Sequence, residues 1–236
     1  HHSLAGISKP PEPRLIIGGH EALALGALAA GVQFLSGYPM TSWSSVLNAV
    51  GARASRWGVV VEQSEDEIAA ITMAIGASYA GVRAMTGSSG GGFCLMTEAL
   101  GLAGMTETHL VIVEAMRPGP STGLPTRTSQ GDLLFVLTAG QDDFPRAVLA
   151  PGNPAQGFAL AAKAFNLADR YQLPVFLLTD QYFADTNFTH AAADFPEAPW
   201  DRALTFGQVN CGKYERYAIT ADGISNAAMA KIDSNM

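Results

Sequence analysis

The sequence predicts an α/β fold, a doubly wound parallel sheet with helices on both faces. Three observations predict it. Short β-branched runs recur along the chain and are apolar at nearly every position. Such runs suit strands buried on both faces, as in a parallel sheet. Longer Ala-rich stretches of helical character separate them, and strand–helix alternation builds the repeating units of an open parallel sheet. Segments dense in Gly, Pro and polar residues follow the apolar runs directly, where such a sheet gathers its ligand-binding loops.

The pattern starts at Leu15. Residues 21–30 (EALALGALAA) are rich in strong helix formers. A strand at 32–35 (VQFL) leads through Tyr38-Pro39-Met40-Thr41 into a helix over 43–54, and Thr41 is a candidate N-cap for it. A strand at 59–61 (VVV) runs into Ser64-Glu65-Asp66-Glu67 and a helix over 65–79. A third strand at 82–85 ends in the loop 87–92, followed by a helix over 93–102. The strand at 110–113 (LVIV) opens into the polar segment 117–126, with a helix at 133–138 beyond. Strands at 147–149 and 175–178 flank a helix over 155–171.

The domain so defined covers 14–186. Before it, His1-His2-Ser3 reads as the remnant of a purification tag and 9–13 (KPPEP) as a linker. Residues 186–203, rich in Ala, Pro and acids, read as a second linker. The remainder to 236, with Phe206, Tyr214 and Tyr217, reads as a fragment of a second domain.

Composition narrows the function. Apolar residues make up 48% of the 236 and charged residues only 15%, which excludes a disordered chain and leaves surface for other subunits to cover. An oligomer is therefore expected. Net charge of -7 with no Lys/Arg run gives no support for nucleic acid binding. No apolar run is long enough to span a membrane and no secretory signal pattern is present, so a cytoplasmic protein is expected. Two cysteines, Cys94 and Cys211, make neither a disulfide framework nor a four-cysteine metal site. No metal ligands are assigned, and any iron–sulfur cluster would have to lie in another chain.

Four loaded segments would converge on the carboxyl edge of the sheet: 38–41, 64–67, 87–92 and 117–126. Gly87-Ser88-Ser89-Gly90-Gly91-Gly92 has three readings. It is a flexible turn, or a loop whose N–H groups face a polar or anionic ligand. It also matches G-x-S-x-G, a nucleophile elbow with Ser89 as nucleophile and Asp180 and His190 as partners. Ser64 and Glu67 fit an S-x-x-E capping box, a structural alternative to a catalytic Glu67. Arg117 opens a loop stiffened by Pro118, Pro120 and Pro125, where a guanidinium can clamp a carboxylate bidentately or merely pair with a surface acid.

Taken together, Gly19-His20-Glu21-Ala22, Gly37-Tyr38-Pro39-Met40-Thr41, Glu65-Asp66-Glu67, the stretches 86–93 and 101–107, the run 117–126 (RPGPSTGLPT) and Gln130-Gly131-Asp132-Leu133 resemble one family. It is the α subunit of 2-oxoacid:ferredoxin oxidoreductases, in its thiamine diphosphate pyrimidine-binding domain. The resemblance runs from about Leu15 to Asp185. Thiamine enzymes also carry Glu with Ala three and Gly nine residues on, a spacing met by Glu67, Ala70 and Gly76. Three positions depart from the family: His20 stands where Asn is usual, Ser42 where Pro is usual, and Ser88-Ser89-Gly90-Gly91-Gly92 where the family has T-S-G-P-G.

The resemblance implies oxidative decarboxylation of a 2-oxoacid, of the pyruvate or 2-oxoglutarate type, to its acyl-CoA, with electrons passed to ferredoxin or flavodoxin. It implies Glu67 as the acid that activates thiamine diphosphate. Tyr38, Pro39, Ser89 and Gly90 join Glu67 in contacting the cofactor, and Thr41 and Arg117 contact the substrate. The sequence contains no Gly-Asp-Gly, so a β subunit is expected to supply the Mg²⁺ and diphosphate ligands, with iron–sulfur clusters in partner chains. Two other classes remain as alternatives: the serine hydrolase built on Ser89, and a non-catalytic binding subunit of the same fold.

Overall fold

The computed structural model describes residues 12–197, 201–204 and 215–227. Cys211, Phe206, Tyr214 and the supposed tag remnant lie outside the described residues.

Strand β1 (Arg14–Gly18) leads into α1 (Gly19–Ala29). Then follow β2 (Phe34–Gly37), α2 (Ser44–Gly51), the single turn α3 (Ala54–Trp57) and β3 (Val60–Gln63). Next come α4 (Glu67–Tyr79), β4 (Ala84–Ser88), α5 (Gly91–Met105) and β5 (Leu110–Met116). The chain continues through α6 (Leu133–Thr138), β6 (Ala147–Leu149), α7 (Pro154–Tyr171), β7 (Pro174–Asp180), α8 (Gln181–Asp185) and β8 (Asn187–Ala191).

All six strands expected from the sequence form one sheet, in the order β3-β2-β4-β5-β7-β6, with every neighbouring pair parallel. The inner strands β4, β5 and β7 are buried at every residue, which is why LVIV and VFLL in β5 and β7 run apolar without alternation. One face packs α1, α2 and α7 around Leu23, Trp43 and Phe165. The other packs α4, α5 and α6 around Ile71, Phe93 and Phe176. Helix α7 has clear end signals: Asn153 accepts from Gln156 N–H at 2.9 Å, Pro154 follows, and Gln172 closes the helix at φ 51°.

Two elements differ from the expectation. The stretch read as a linker from 186 opens with strand β8, which pairs antiparallel with β1 in a separate two-stranded sheet. Both strands are short and half-exposed; β8 has no apolar run, and β1 has only the three residues Leu15–Ile17, of which Leu15 and Ile16 are exposed. The described residues beyond β8 also dock. Arg202 reaches Asp169 at 3.3 Å and the Gly81 carbonyl at 3.0 Å, and Arg216 pairs with Glu107 at 2.7 Å. These contacts lie at the amino ends of β4, β5 and β7, opposite the loaded loops.

Buried Arg83 organises that amino-terminal pole. Its Nε donates to Asp169 at 2.8 Å, and its other nitrogens donate to the Ala30 and Asp201 carbonyls and to Asn166. A charge so buried persists only when paired and hydrogen-bonded. On the α4–α5–α6 layer the outward surface stays apolar: Ile68, Leu95, Met105, Leu134 and Leu137 are exposed.

Candidate functional site

Strands β2 and β4 are neighbours, yet the chain leaves them on opposite sides. After β2 it passes to α2 on the α1 face, and after β4 to α5 on the other. Connections that diverge in this way open a crevice at the carboxyl ends of the strands. The loops 38–41 and 88–91 flank it, and the segment after β5 closes one side. Three contacts tie them together. Trp43 N–H donates to Ser89 Oγ at 3.3 Å, Arg117 Nη1 donates to the Thr41 carbonyl at 2.9 Å, and Ser88 Oγ approaches Met40 Sδ at 3.7 Å.

Glu67 is the first residue of α4 and is only 3% exposed. The capping box expected from Ser64 does not form. Asp66 is the N-cap, accepting from Ala69 N–H at 2.8 Å, and Ser64 Oγ is buried without a partner. The helix starts so that Asp66, not Ser64, stands before its free N–H groups. The Glu67 carboxyl is therefore not spent on capping. Its Oε1 is buried with no hydrogen-bond partner. Leaving such an acceptor unmet costs about 1–3 kcal/mol, a cost that native proteins keep at catalytic and ligand-binding sites among others.

Position 92 explains the seat of that carboxyl. A Cβ on Gly92 would overlap Ser88 Oγ and Glu67 Oε1 and stand 2.9 Å from Glu67 Cδ. Only a glycine in the first turn of α5 lets that helix close over Glu67. Gly90, just before, has φ 40°, which L side chains rarely adopt.

The other candidates fall in different settings. Tyr38 is 38% exposed, with Pro39 and Thr41 exposed beside it. Thr41 does not cap α2, whose N-cap is Trp43 without a side-chain bond. Arg117 is 6% exposed, with its Nε unpartnered; it is not a surface arginine. Ser89 is fully buried and its Oγ accepts from Trp43 N–H. Its supposed triad partners are engaged elsewhere. Asp180 accepts from Phe183 N–H and Gln130 Nε2 at 2.7 Å each, and His190 bonds Asp194 at 3.1 Å. No nucleophile–base contact forms. Nor does Gly90 N–H face the crevice, because it points down to Glu114 Oε1 at 2.6 Å. Gly92 N–H is used as well, donating to the Ser89 carbonyl at 2.9 Å.

Two buried residues beneath the loops were given no role in the sequence reading, which noted His20 only as a departure from the family and did not single out Glu114. Glu114 on β5 is fully buried, and burial pushes its carboxyl well above the usual range, the Gly90 N–H opposing this only in part. Its one sequence signal is an acid inside an otherwise apolar run. His20, at the start of α1, bonds Ser45 Oγ at 2.6 Å and Thr179 Oγ1 at 2.9 Å. Burial pushes it down to about 4, so it is neutral at pH 7. One ring nitrogen donates and the other accepts, joining α1, β7 and the start of α2.

A switch-point crevice holding a buried, unpartnered carboxyl marks an α/β domain with a candidate ligand-binding site. Residues 25–228 match the family model described as pyruvate flavodoxin/ferredoxin oxidoreductase, thiamine diphosphate-binding. The chain belongs to this family. It is 41% identical over 231 residues to 2-oxoacid:ferredoxin oxidoreductase 1, subunit alpha, of Sulfurisphaera tokodaii, covering 91% of this chain and 36% of that protein. It is 44% identical over 166 residues to the 2-oxoglutarate synthase subunit KorA of Archaeoglobus fulgidus, covering 70% of this chain and 48% of the relative. Among solved structures it resembles the 2-oxoglutarate:ferredoxin oxidoreductase from Magnetococcus marinus with 2-oxoglutarate, coenzyme A and succinyl-CoA bound. The TM-score is 0.86 at 36% identity, over 95% of this chain and 39% of the other. The chain thus spans between about a third and a half of the length of these relatives.

Proposed function

We propose that this chain is the thiamine diphosphate pyrimidine-binding domain of a 2-oxoacid:ferredoxin oxidoreductase α subunit. The enzyme would convert a 2-oxoacid, of the pyruvate or 2-oxoglutarate type, and coenzyme A to an acyl-CoA and CO₂. The electrons pass to ferredoxin or flavodoxin. One observation carries the reading: Glu67 presents a buried acceptor oxygen with no partner at the carboxyl edge of the sheet. A ring N–H of the aminopyrimidine is the donor that such an atom fits.

When bound, thiamine diphosphate supplies the electron sink for decarboxylation. This chain's residues position and exclude water. Glu67 holds the pyrimidine ring and manages a proton at Oε1, with α5 closing over it at Gly92. Tyr38 and Pro39 wall the crevice, and Ser89 and Gly90 form its floor on the α5 side. Gly90 offers a ligand its Cα surface, since its N–H is engaged. Arg117 binds the substrate carboxylate, whose burial in a dry site needs a cation, and the Thr41 hydroxyl donates to the same substrate.

Diphosphate and Mg²⁺ ligands fall to a β subunit in this reading. Among the described residues no group of three or more His, Cys, Asp or Glu could hold a metal ion, and the sequence lacks Gly-Asp-Gly. Iron–sulfur clusters belong to partner chains. The exposed apolar face of α4, α5 and α6 is the surface such subunits would cover. No helix among the described residues is long and apolar enough to cross a membrane, and we place the enzyme in the cytoplasm.

Glu67→Gln in the reconstituted complex tests the assignment. It keeps the size of the side chain and leaves the Asp66 cap intact. Decarboxylation should fall by about 10²-fold or more, and exchange of the thiazolium C2 proton should slow in parallel. Fast exchange in this variant would remove Glu67 from the chemistry.

A further inference from the structure

Glu114 has no part in the reaction just described, yet it is a fully buried acid placed directly under the glycine-rich loop. We propose that Glu114 is a positioning residue: it ties Gly90 to the sheet and so sets where α5 begins relative to Glu67. The inference rests on the reading of Glu67 given above.

The geometry runs through five residues, Ser88, Glu114, Gly90, Gly92 and Glu67. Ser88 and Glu114 are register partners on the parallel strands β4 and β5, so their side chains stand together on one face of the sheet. That face is the α4–α5–α6 side, where the β5 neighbours Ile112 and Met116 also pack. From there the Glu114 Oε1 accepts the Gly90 N–H at 2.6 Å. Gly90 is the N-cap of α5, its φ of 40° turning the N–H inward, and the helix starts at the next residue. Within that first turn lies Gly92, which leaves no room between Ser88 Oγ, Glu67 Oε1 and the helix backbone. One bond from the sheet therefore sets the height of the helix start, and that height sets the space left for the Glu67 carboxyl.

The chemistry of the anchor follows from its burial. The charged groups facing it are Asp132, the N-cap of α6, and Arg117. The Glu114 side chain offers a carboxyl oxygen to the Gly90 N–H. A glutamine offers the same oxygen with the same reach. An aliphatic residue offers none and leaves the Gly90 N–H buried and unpaired.

The test compares wild type, Glu114→Gln and Glu114→Leu in the full-length subunit within its native assembly. Amide hydrogen exchange at Gly90 and Gly91 is read first, because it needs neither cofactor nor turnover. In Glu114→Leu the Gly90 amide should lose protection by about tenfold or more, while Glu114→Gln stays within about threefold of wild type. In the loaded complex kcat should fall about 10- to 100-fold in Glu114→Leu, as expected for a displacement near 1 Å, with rescue in Glu114→Gln. Should the leucine variant fail to assemble, Glu114→Met replaces it, with the same outcome expected. Unchanged Gly90 protection in the apolar variants would overturn the proposal. So would equal damage in Glu114→Gln, or lost protection with unchanged kcat. Failure of the Glu67 reading is seen separately, as full activity of Glu67→Gln in the same assembly.

Discussion

Replacing Gly92 by alanine separates the seat of the candidate catalytic acid from the stability of the fold. The new methyl carbon would overlap Ser88 Oγ and Glu67 Oε1 and stand 2.9 Å from Glu67 Cδ. All three belong to side chains, so the backbone can stay while the carboxyl retreats by about 1 Å to reach ordinary contact. Overpacking costs about 1–3 kcal/mol, and alanine in place of glycine in a helix returns about 1 kcal/mol. The net loss is about 0–2 kcal/mol, a fall in Tm of at most about 8 °C for a domain of this size. A catalytic group moved by about 1 Å loses about 10²-fold in rate. Gly92→Ala should therefore melt close to wild type, bind the partner subunit normally, and lose about two decades in thiazolium C2 exchange and in kcat. Thermal melts by circular dichroism and proton-exchange NMR on the assembled complex read the two effects. Full activity with a lowered Tm would refute the argument, because it would mean that Glu67 can move without consequence.

Arg117→Ala should lower kcat/KM for the 2-oxoacid by roughly 30-fold to several thousand-fold, the loss of about 2–5 kcal/mol for one partner of a buried charge pair. Thiamine diphosphate affinity should be unchanged, and steady-state kinetics with calorimetry would reveal a merely structural arginine as unaltered kcat/KM. Stability should also fall as pH drops from 6.5 through about 4, because buried His20 and His109, both pushed down to about 4, must take up protons there. The folded values lie below the unfolded one, so the unfolded chain binds more protons in this window and each group contributes about 3 kcal/mol that acid removes. Glu114 acts in the opposite direction: its raised folded value gives stability at low pH that is lost as pH rises. His20→Asn should flatten the acid limb in urea titrations at pH 7 and 4.5, and an unchanged limb would show that His20 is not neutral in the native state.

The sheet was legible because burial on both faces writes itself into contiguous sequence. LVIV at 110–113 and VFLL at 175–178 read as interior strands by their length and β-branched content, the Ala-rich stretches between them read as covering helices, and the structure has both. The rule that loops gather at the carboxyl ends then placed 38–41, 64–67, 87–92 and 117–126 together, and the fold bears this out. Glu67 was legible as a candidate through its neighbours Ala70 and Gly76. Strands β1 and β8 were not, since their pairing joins residues such as Leu15 and His190 across almost the whole domain, and β8 has no apolar run to mark it. The cap of α4 turned on a helix start two residues away from a competing signal, and the structure chose Asp66 over Ser64. Glu114 reads in sequence as one acid interrupting an apolar strand, and Gly90 as one more flexible glycine. Only the pairing of β4 with β5 brings that carboxyl under that N–H. Hydropathy patterns are local and record which face is buried. A hydrogen-bond partner is decided by residues distant in the chain, so the tertiary structure alone determined that the loop is anchored from below and that the acid above it is left unpaired.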